Sequence, residues 1–184
     1  MGRAMARLAF MTFGVLYEPR SHERSSGFIN RIPATYDQAE RSEGFIGRSD
    51  LDAATGKHTW GELVCPSFLS PEFDPHIART LSLWSDLESV MAFSYSMRHG
   101  EALRMRNDWF RKPDFPGHVA WWVADDHIPT FIESTARLEQ LHEAGPSAQA
   151  FNFKNPFDAN GNPTRVDQAL VQAKMARNAA RISA

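Results

Sequence analysis

Four side chains between Tyr95 and Arg106 have the types and the spacing of a small-molecule site on one helix face. His99 follows Tyr95 by four residues and precedes Leu103 by four and Arg106 by seven. These separations are one and two helical turns, so the four side chains share one side of a helix. Because histidine exchanges a proton near neutral pH, we interpret His99 and Arg106 as catalytic residues, with Tyr95 and Leu103 contacting a substrate. The alternative is a structural histidine that bonds a neighbouring carbonyl.

Aromatic side chains form a second set of candidates. Val119–Val123 is the strongest strand signal in the chain, and alternation along a strand presents Trp121 and Trp122 to opposite faces. His118 shares the face of Trp122, and Trp109 lies on the preceding helical segment. An aromatic-lined cavity with His118 beside it would suit an apolar ligand, with His118 steering its polar groups. The alternative is that the tryptophans only fill the core.

The last site candidate is His127, which stands where this strand ends, two residues before Pro129. A histidine there either caps the following helix or borders the pocket as a substrate contact.

We predict no metal site. His58, Glu62 and Cys65 lie within eight residues, but their spacing matches no ligand motif, and a single cysteine excludes a zinc site built on several thiolates. Glycine-rich phosphate loops and the Gly-x-Ser-x-Gly motif do not occur in the sequence.

The elements that must position these residues follow in the order β-α-β-loop-β-α-β, then a helix, a short strand and a helical tail. The predicted strands are Leu8–Val15, Phe45–Ser49, Arg79–Trp84 and Val119–Val123, with helices in Ser26–Glu43, Leu87–Phe110 and from Pro129, and a long loop at Leu51–Ala78. Two βαβ-like halves with an antiparallel sheet are typical of a ferredoxin-like α+β fold.

Helices on one face of that sheet would leave its other face bare. Thr12, Leu81 or Leu83, and one of the two strand tryptophans would then be exposed to water. A second copy of the chain would cover this face, so the pattern predicts a homodimer.

We place one domain at residues 1–157 and a C-terminal helical extension at 158–184. That helix carries a narrow stripe of small residues, Val166, Ala169, Leu170, Ala173 and Ala176.

Composition limits the classes of partner. The chain has 184 residues and a net charge of −2, with a pI of about 6.4. No excess of positive charge attracts nucleic acid or an anionic membrane. No apolar run reaches the roughly 20 residues of a membrane span, and the apolar run at Leu8–Tyr17 is not followed by a cleavage site of the signal-peptide type. We therefore expect a cytoplasmic protein.

Several segments carry a family resemblance. They are Leu81–Glu88, His99–Leu103, Trp109–Phe110, Val119–Val123, His127–Thr130, Arg137–Leu138, Gly145–Pro146 and Ala150–Lys154. Together they resemble the domain of unknown function 3291 family, a member of the dimeric α/β-barrel superfamily, from about Arg7 to Phe157. The resemblance implies two sheets facing each other in a dimer and a pocket between sheet and helices, often used on small apolar or aromatic compounds. It carries over no catalytic residue.

Three functions remain open at this point. The first is an enzyme without a tightly held cofactor that acts on a hydrophobic or aromatic metabolite by oxygenation, cyclisation or elimination, with His99 as acid or base and Arg106 and His118 steering polar groups. The second is a haem-binding protein with His99 as the iron ligand. The third is a non-catalytic dimer that binds a small ligand or serves as a scaffold through its C-terminal helix.

Overall fold

One antiparallel sheet organises the chain. The computed structural model describes residues 6–95 and 107–182. Its strands are β1 (Ala6–Val15), β2 (Phe45–Arg48), β3 (Ile77–Trp84) and β4 (His118–Ala124). They pair in the order β2-β3-β1-β4, every neighbouring pair antiparallel. This is the strand order of the ferredoxin-like fold, and it confirms the predicted fold class.

Helices connect and extend the sheet. They are α1 (Ser26–Ile29), α2 (Ile32–Arg41), α3 (Leu87–Tyr95), α4 (Phe131–Ala144) and α5 (Gln168–Ile182), with short 3-10 helices at Glu23–Ser25 and Pro71–His76. The Thr130 side chain caps α4 by accepting from the Glu133 N–H, and Gly145 ends the helix at a φ of 78°. Both ends follow the usual capping chemistry. Within the described ranges, no helix has the length and apolarity that a membrane span requires.

The two faces of the sheet carry different covers. On the first, which we call the helix face, Leu8, Phe10 and Ala120 pack with residues of α2, α3 and α5. On the second, the loop face, Met11 and Trp121 pack with α4 and with the long segment between β2 and β3. Strand alternation explains the division, because neighbouring residues of β1 and β4 point to opposite faces.

The loop face is buried within the single chain. Leu81, Leu83 and Trp121 are each 1 % exposed. Their cover consists of Phe131, Leu138 and Leu141 of α4 and of Trp60, Leu63, Phe68, Leu69 and Phe73 of the long loop. The expectation that these residues face water is therefore wrong, and Thr12 lies on the helix face instead. The homodimer prediction loses the premise on which it was based.

A polar face of α5 attaches the C-terminal helix to the domain. Val171, Lys174 and Asn178 are buried. Lys174 Nζ donates to Ser89 Oγ over 2.8 Å and forms ion pairs with Asp86 at 3.2 Å and Glu43 at 3.4 Å. Ala169 and Leu170 of the predicted small-residue stripe are exposed, so the helix packs on the domain through other residues. The ion pairs of Lys174 and the hydrogen bond from the Glu43 N–H to Asn178 Oδ1, at 2.8 Å, offset the cost of burying these two polar side chains.

The chain that follows residue 106 is helical at 107–109 and extended from Phe110. The Tyr17 N–H donates to the Trp109 carbonyl and the Arg111 N–H donates to the Val15 carbonyl, each over 2.8 Å. These ladder bonds join the segment to the end of β1. The helical residues end one position before the predicted end at about Phe110, because Phe110 forms a β-bridge with Leu16.

Candidate functional site

His118 stands at the point where the helix face of the sheet changes from apolar to polar. It is the first residue of β4 and lies opposite Thr12 in the register. Thr12 in turn lies opposite Thr80, and their hydroxyl oxygens are hydrogen-bonded at 2.7 Å. All three side chains are half-buried. Deeper along the same face, Phe10 and Ala120 are buried and apolar.

Two rings contact the imidazole of His118, and a third ring packs against one of them. The imidazole centroid lies 4.5 Å from that of Phe153 and 5.7 Å from that of Phe10. Phe10 and Phe153 stack at 5.2 Å, and the Tyr95 ring lies 6.2 Å from Phe153. The structure thus brings together two predicted site residues, His118 and Tyr95, through Phe153, which is not among the predicted site residues. The signal for Phe153 was its place in the short segment Ala150–Lys154, predicted as a strand.

The hydrogen bonding of His118 determines which of its nitrogens carries the proton. The Phe153 main-chain N–H donates to Nε2 over 3.2 Å. A neutral imidazole that accepts at Nε2 carries its hydrogen on Nδ1. His118 is therefore arranged as a donor through Nδ1. A proton taken up at Nε2 would break the bond to Phe153.

Tyr95 is the last described residue of α3, and its side chain is 52 % exposed. Three of the predicted site residues, His99, Leu103 and Arg106, lie outside the residues that the structure describes. The predicted helical face that joins them to Tyr95 remains a prediction from the sequence.

Trp109 packs in a separate group of rings. It is 8 % exposed, and its indole lies 6.2 Å from the Phe28 ring, with the Arg31 guanidinium 4.9 Å away. A Cβ on Gly27 would come within 3.1 Å of the same indole. These contacts show that Trp109 fills the core beside α1.

Trp121 and His127 meet on the loop side of the sheet. Trp121 Nε1 donates to Glu133 Oε1 over 2.9 Å, and His127 Nε2 lies 2.7 Å from Glu133 Oε2. Arg137 approaches the same carboxylate at 3.8 Å. His127 is thus bound to the first turn of α4 through a side chain, while the helix cap itself is Thr130. Neither residue shares a face with His118.

Trp122 lies on the helix face, as its parity with His118 predicts. Its Nε1 donates to the Phe157 carbonyl over 2.8 Å, so the indole is bound to the chain that follows β4 and α4. It packs against the buried residues of the helix face.

Metal and thiol chemistry receive little support from the described part of the chain. Within residues 6–95 and 107–182, no three His, Cys, Asp or Glu side chains gather as a metal ion requires. Burial raises the pKa of the Cys65 thiol. Because the thiolate is the nucleophilic form, this shift disfavours Cys65 as a nucleophile.

The strand order and the ring-lined His118 together define a ferredoxin-like α+β domain with a candidate ligand site on its helix face. The chain belongs to the family described as Domain of unknown function (DUF3291), whose model matches residues 7–168. This confirms the family resemblance found in the sequence. A comparison with curated proteins found no match. Among solved structures, the chain is similar to a putative antibiotic biosynthesis monooxygenase from Nitrosomonas europaea, with a TM-score of 0.40 and 8 % identity over 70 % of this chain and 98 % of that one.

Proposed function

We propose that the chain is an enzyme, without a tightly held cofactor, that binds a small apolar or aromatic molecule on the helix face beside His118. The observation that supports this most is the bond from the Phe153 N–H to His118 Nε2 inside a set of aromatic rings. A fixed imidazole next to apolar walls is the combination that orients a largely apolar ligand by one polar contact.

In this proposal His118 acts on an oxygen of the ligand. Its Nδ1–H donates to a carbonyl or phenolic oxygen, while Phe10, Phe153 and Tyr95 contact the carbon skeleton. A donor already in position stabilises negative charge that develops on that oxygen when a proton leaves the ligand. The reaction class is then proton abstraction that leads to oxygenation, cyclisation or elimination.

The base must come from another residue, because the Nε2 lone pair of His118 already accepts the Phe153 N–H. We propose His99 for this role, with Arg106 as a further contact for a polar group, from the sequence spacing alone. His99 follows Tyr95 by four residues. Chain geometry therefore limits the distance between their Cα atoms to about 14 Å.

The test starts from compounds that co-purify with the full chain, identified by mass spectrometry and returned to the protein. We expect wild type to convert such a compound and His99→Ala to retain it while converting it at least about 100-fold more slowly. His22→Ala, an exposed histidine that accepts from the Arg24 N–H, is the matched control and should convert normally.

Three outcomes would contradict the proposal. Normal conversion by His99→Ala would remove the assigned base. Retention without conversion by wild type would favour the non-catalytic binding protein. A visible absorption band that appears when haemin is added, and disappears in His99→Ala, would favour the haem-binding alternative.

A further inference from the structure

A cleft of about 250 Å³ lies beside β4. Its lining includes Trp121, Trp122, Arg137 and two turns, at 148–149 and at 158–161. The two tryptophans belong to opposite faces of the sheet. A cleft that touches both must therefore lie along the outer edge of the strand, so it is separate from the His118 cluster on the helix face.

The edge of β4 leaves one residue without a main-chain partner at this cleft. Ala120 exchanges both of its main-chain hydrogen bonds with Phe151, at 2.8 and 2.9 Å. Alternate residues of a strand direct these groups to the same side, so the Trp122 N–H and C=O point to the same outer edge. Further along, the Ala124 carbonyl accepts from the His127 N–H. Over residues 6–95 and 107–182, no hydrogen bond occupies the Trp122 N–H or C=O.

The path of the chain after α4 leaves Trp122 without a paired residue. Continuing the register of the Ala120–Phe151 pair would place Gln149 opposite Trp122. Instead Ser147 and Ala150 bond each other at 2.8 and 3.2 Å and turn the chain away. The opening is one residue long, because the positions on either side of Trp122 are already bonded. A longer peptide strand could not add to this edge.

Charged groups of both signs border the opening. Arg137 is partly buried, with its side chain 31 % exposed. Asp158 Oδ1 accepts the main-chain N–H groups of Asn160 and Asn162, each over 2.9 Å. These bonds hold Asp158 in one orientation. The cleft therefore offers a cation, a carboxylate, one N–H donor and one C=O acceptor.

We propose that this cleft binds a free α-amino acid with a small side chain. The ligand's carboxylate accepts from Arg137 and from the Trp122 N–H, and its ammonium donates to Asp158 and to the Trp122 carbonyl. The ligand thus takes the place of the missing paired residue. The volume of about 250 Å³ corresponds to roughly eight waters, which suits a molecule of a few heavy atoms.

The test is a titration of the ¹⁵N-labelled full chain with L-alanine, followed through the Trp122 main-chain amide signal. We expect a saturable shift with L-alanine and at least ten-fold weaker binding of propionate and of ethylamine, which each lack one charged group. Arg137→Gln and Asp158→Asn should each weaken L-alanine at least ten-fold. Arg165→Gln, an exposed arginine outside the lining, is the control and should bind normally.

A variant that fills the opening blocks the site without removing a charged group. Ala148 and Gly161 lie against each other in the lining of the cleft, so the larger side chain of Ala148→Leu should abolish the shift while the Ala120 and Phe151 amide signals stay in place. His118→Phe should leave L-alanine binding unchanged, which keeps this site distinguishable from the one on the helix face. The absence of a saturable shift in wild type would overturn the proposal, and so would propionate binding as tightly as L-alanine.

Discussion

The main-chain N–H of Phe153 donates to Nε2 of His118 over 3.2 Å, and the two rings lie 4.5 Å apart. One residue thus both packs against the imidazole and assigns its proton to Nδ1. The contact joins a turn near the sheet edge to the first residue of β4. The function proposed for His118 depends on this contact.

Lys174→Met should destabilise the domain through its two carboxylate partners. The lysine side chain is 8 % exposed, while those of Glu43 and Asp86 are 25 % and 34 % exposed. Removing the cation leaves the partly buried Asp86 carboxylate without its lysine partner and leaves Glu43 with Arg177 alone. Because the partners keep some contact with water, we expect a loss of about 2–3 kcal/mol, below the range for a fully buried pair. Urea unfolding measures it.

The matched control for this change is Lys154→Met, since Lys154 is exposed. Its free energy of unfolding should stay within about 0.5 kcal/mol of wild type. Equal effects of the two substitutions would show that the buried ion pairs do not stabilise the attachment of α5.

Glu43 predicts a pH dependence of stability. Its hydrogen bond from Arg177, with the charge of Lys174, lowers the pKa of Glu43 from 4.5 to about 2. A carboxyl whose pKa is lower in the folded state contributes stability above its unfolded pKa and loses that contribution as pH falls. The difference in unfolding free energy between wild type and Glu43→Gln should therefore be constant above pH 4.5 and shrink as pH falls toward 2.

Glu62→Gln is the control for the pH series, because Glu62 is an exposed glutamate of the long loop. Its difference from wild type should stay small and flat over the same range. A Glu43→Gln difference that does not change with pH would contradict the ion-pair account of this carboxyl.

Gly44 and Gly56 form a matched pair of glycines with positive φ. Their φ values are 79° and 66°, and a Cβ on Gly56 meets nothing within 4 Å. A Cβ on Gly44 would collide with the hydroxyl of Ser89 and approach that of Ser85 at 2.5 Å. Gly56→Ala should cost only the conformational term of about 1–2 kcal/mol. Gly44→Ala should cost clearly more in urea unfolding, and equal losses would contradict the close packing at Ser89.

The sequence pattern was sufficient for the four strands of the sheet and for most positions of the described helices, because these depend on local alternation and capping. The predicted short strand Ala150–Lys154 forms isolated bridges and a turn instead. The pattern failed where the residues that cover the sheet belong to a loop without regular secondary structure. Trp60, Phe68 and Phe73 show no periodicity, yet they pack against the loop face. The same limit applies to α5, whose buried face includes Lys174 and Asn178. A hydrophobic pattern cannot identify buried polar residues whose partners lie far away in sequence.

Part of the candidate site could also be predicted from the sequence. Strand parity correctly placed His118 with Trp122 and separated both from Trp121. The role of Phe153 could not be predicted, since its contact with His118 spans 35 residues and depends on the turn before Ala150. Parity also gave no indication that the cleft lies along the strand edge, because that cleft depends on where the pairing with Phe151 stops.

The most direct test of the proposed ligand site compares 2-naphthol with naphthalene, which differ only in the hydroxyl, by fluorescence titration of the full chain. Wild type should bind 2-naphthol about ten-fold more tightly, the worth of one hydrogen bond from His118. His118→Phe keeps an aromatic ring and should bind the two compounds equally. His142→Phe, a histidine whose ring lies 4.6 Å from Phe68 on the loop side, should keep the preference. An unchanged preference in His118→Phe, or none in wild type, would contradict the account.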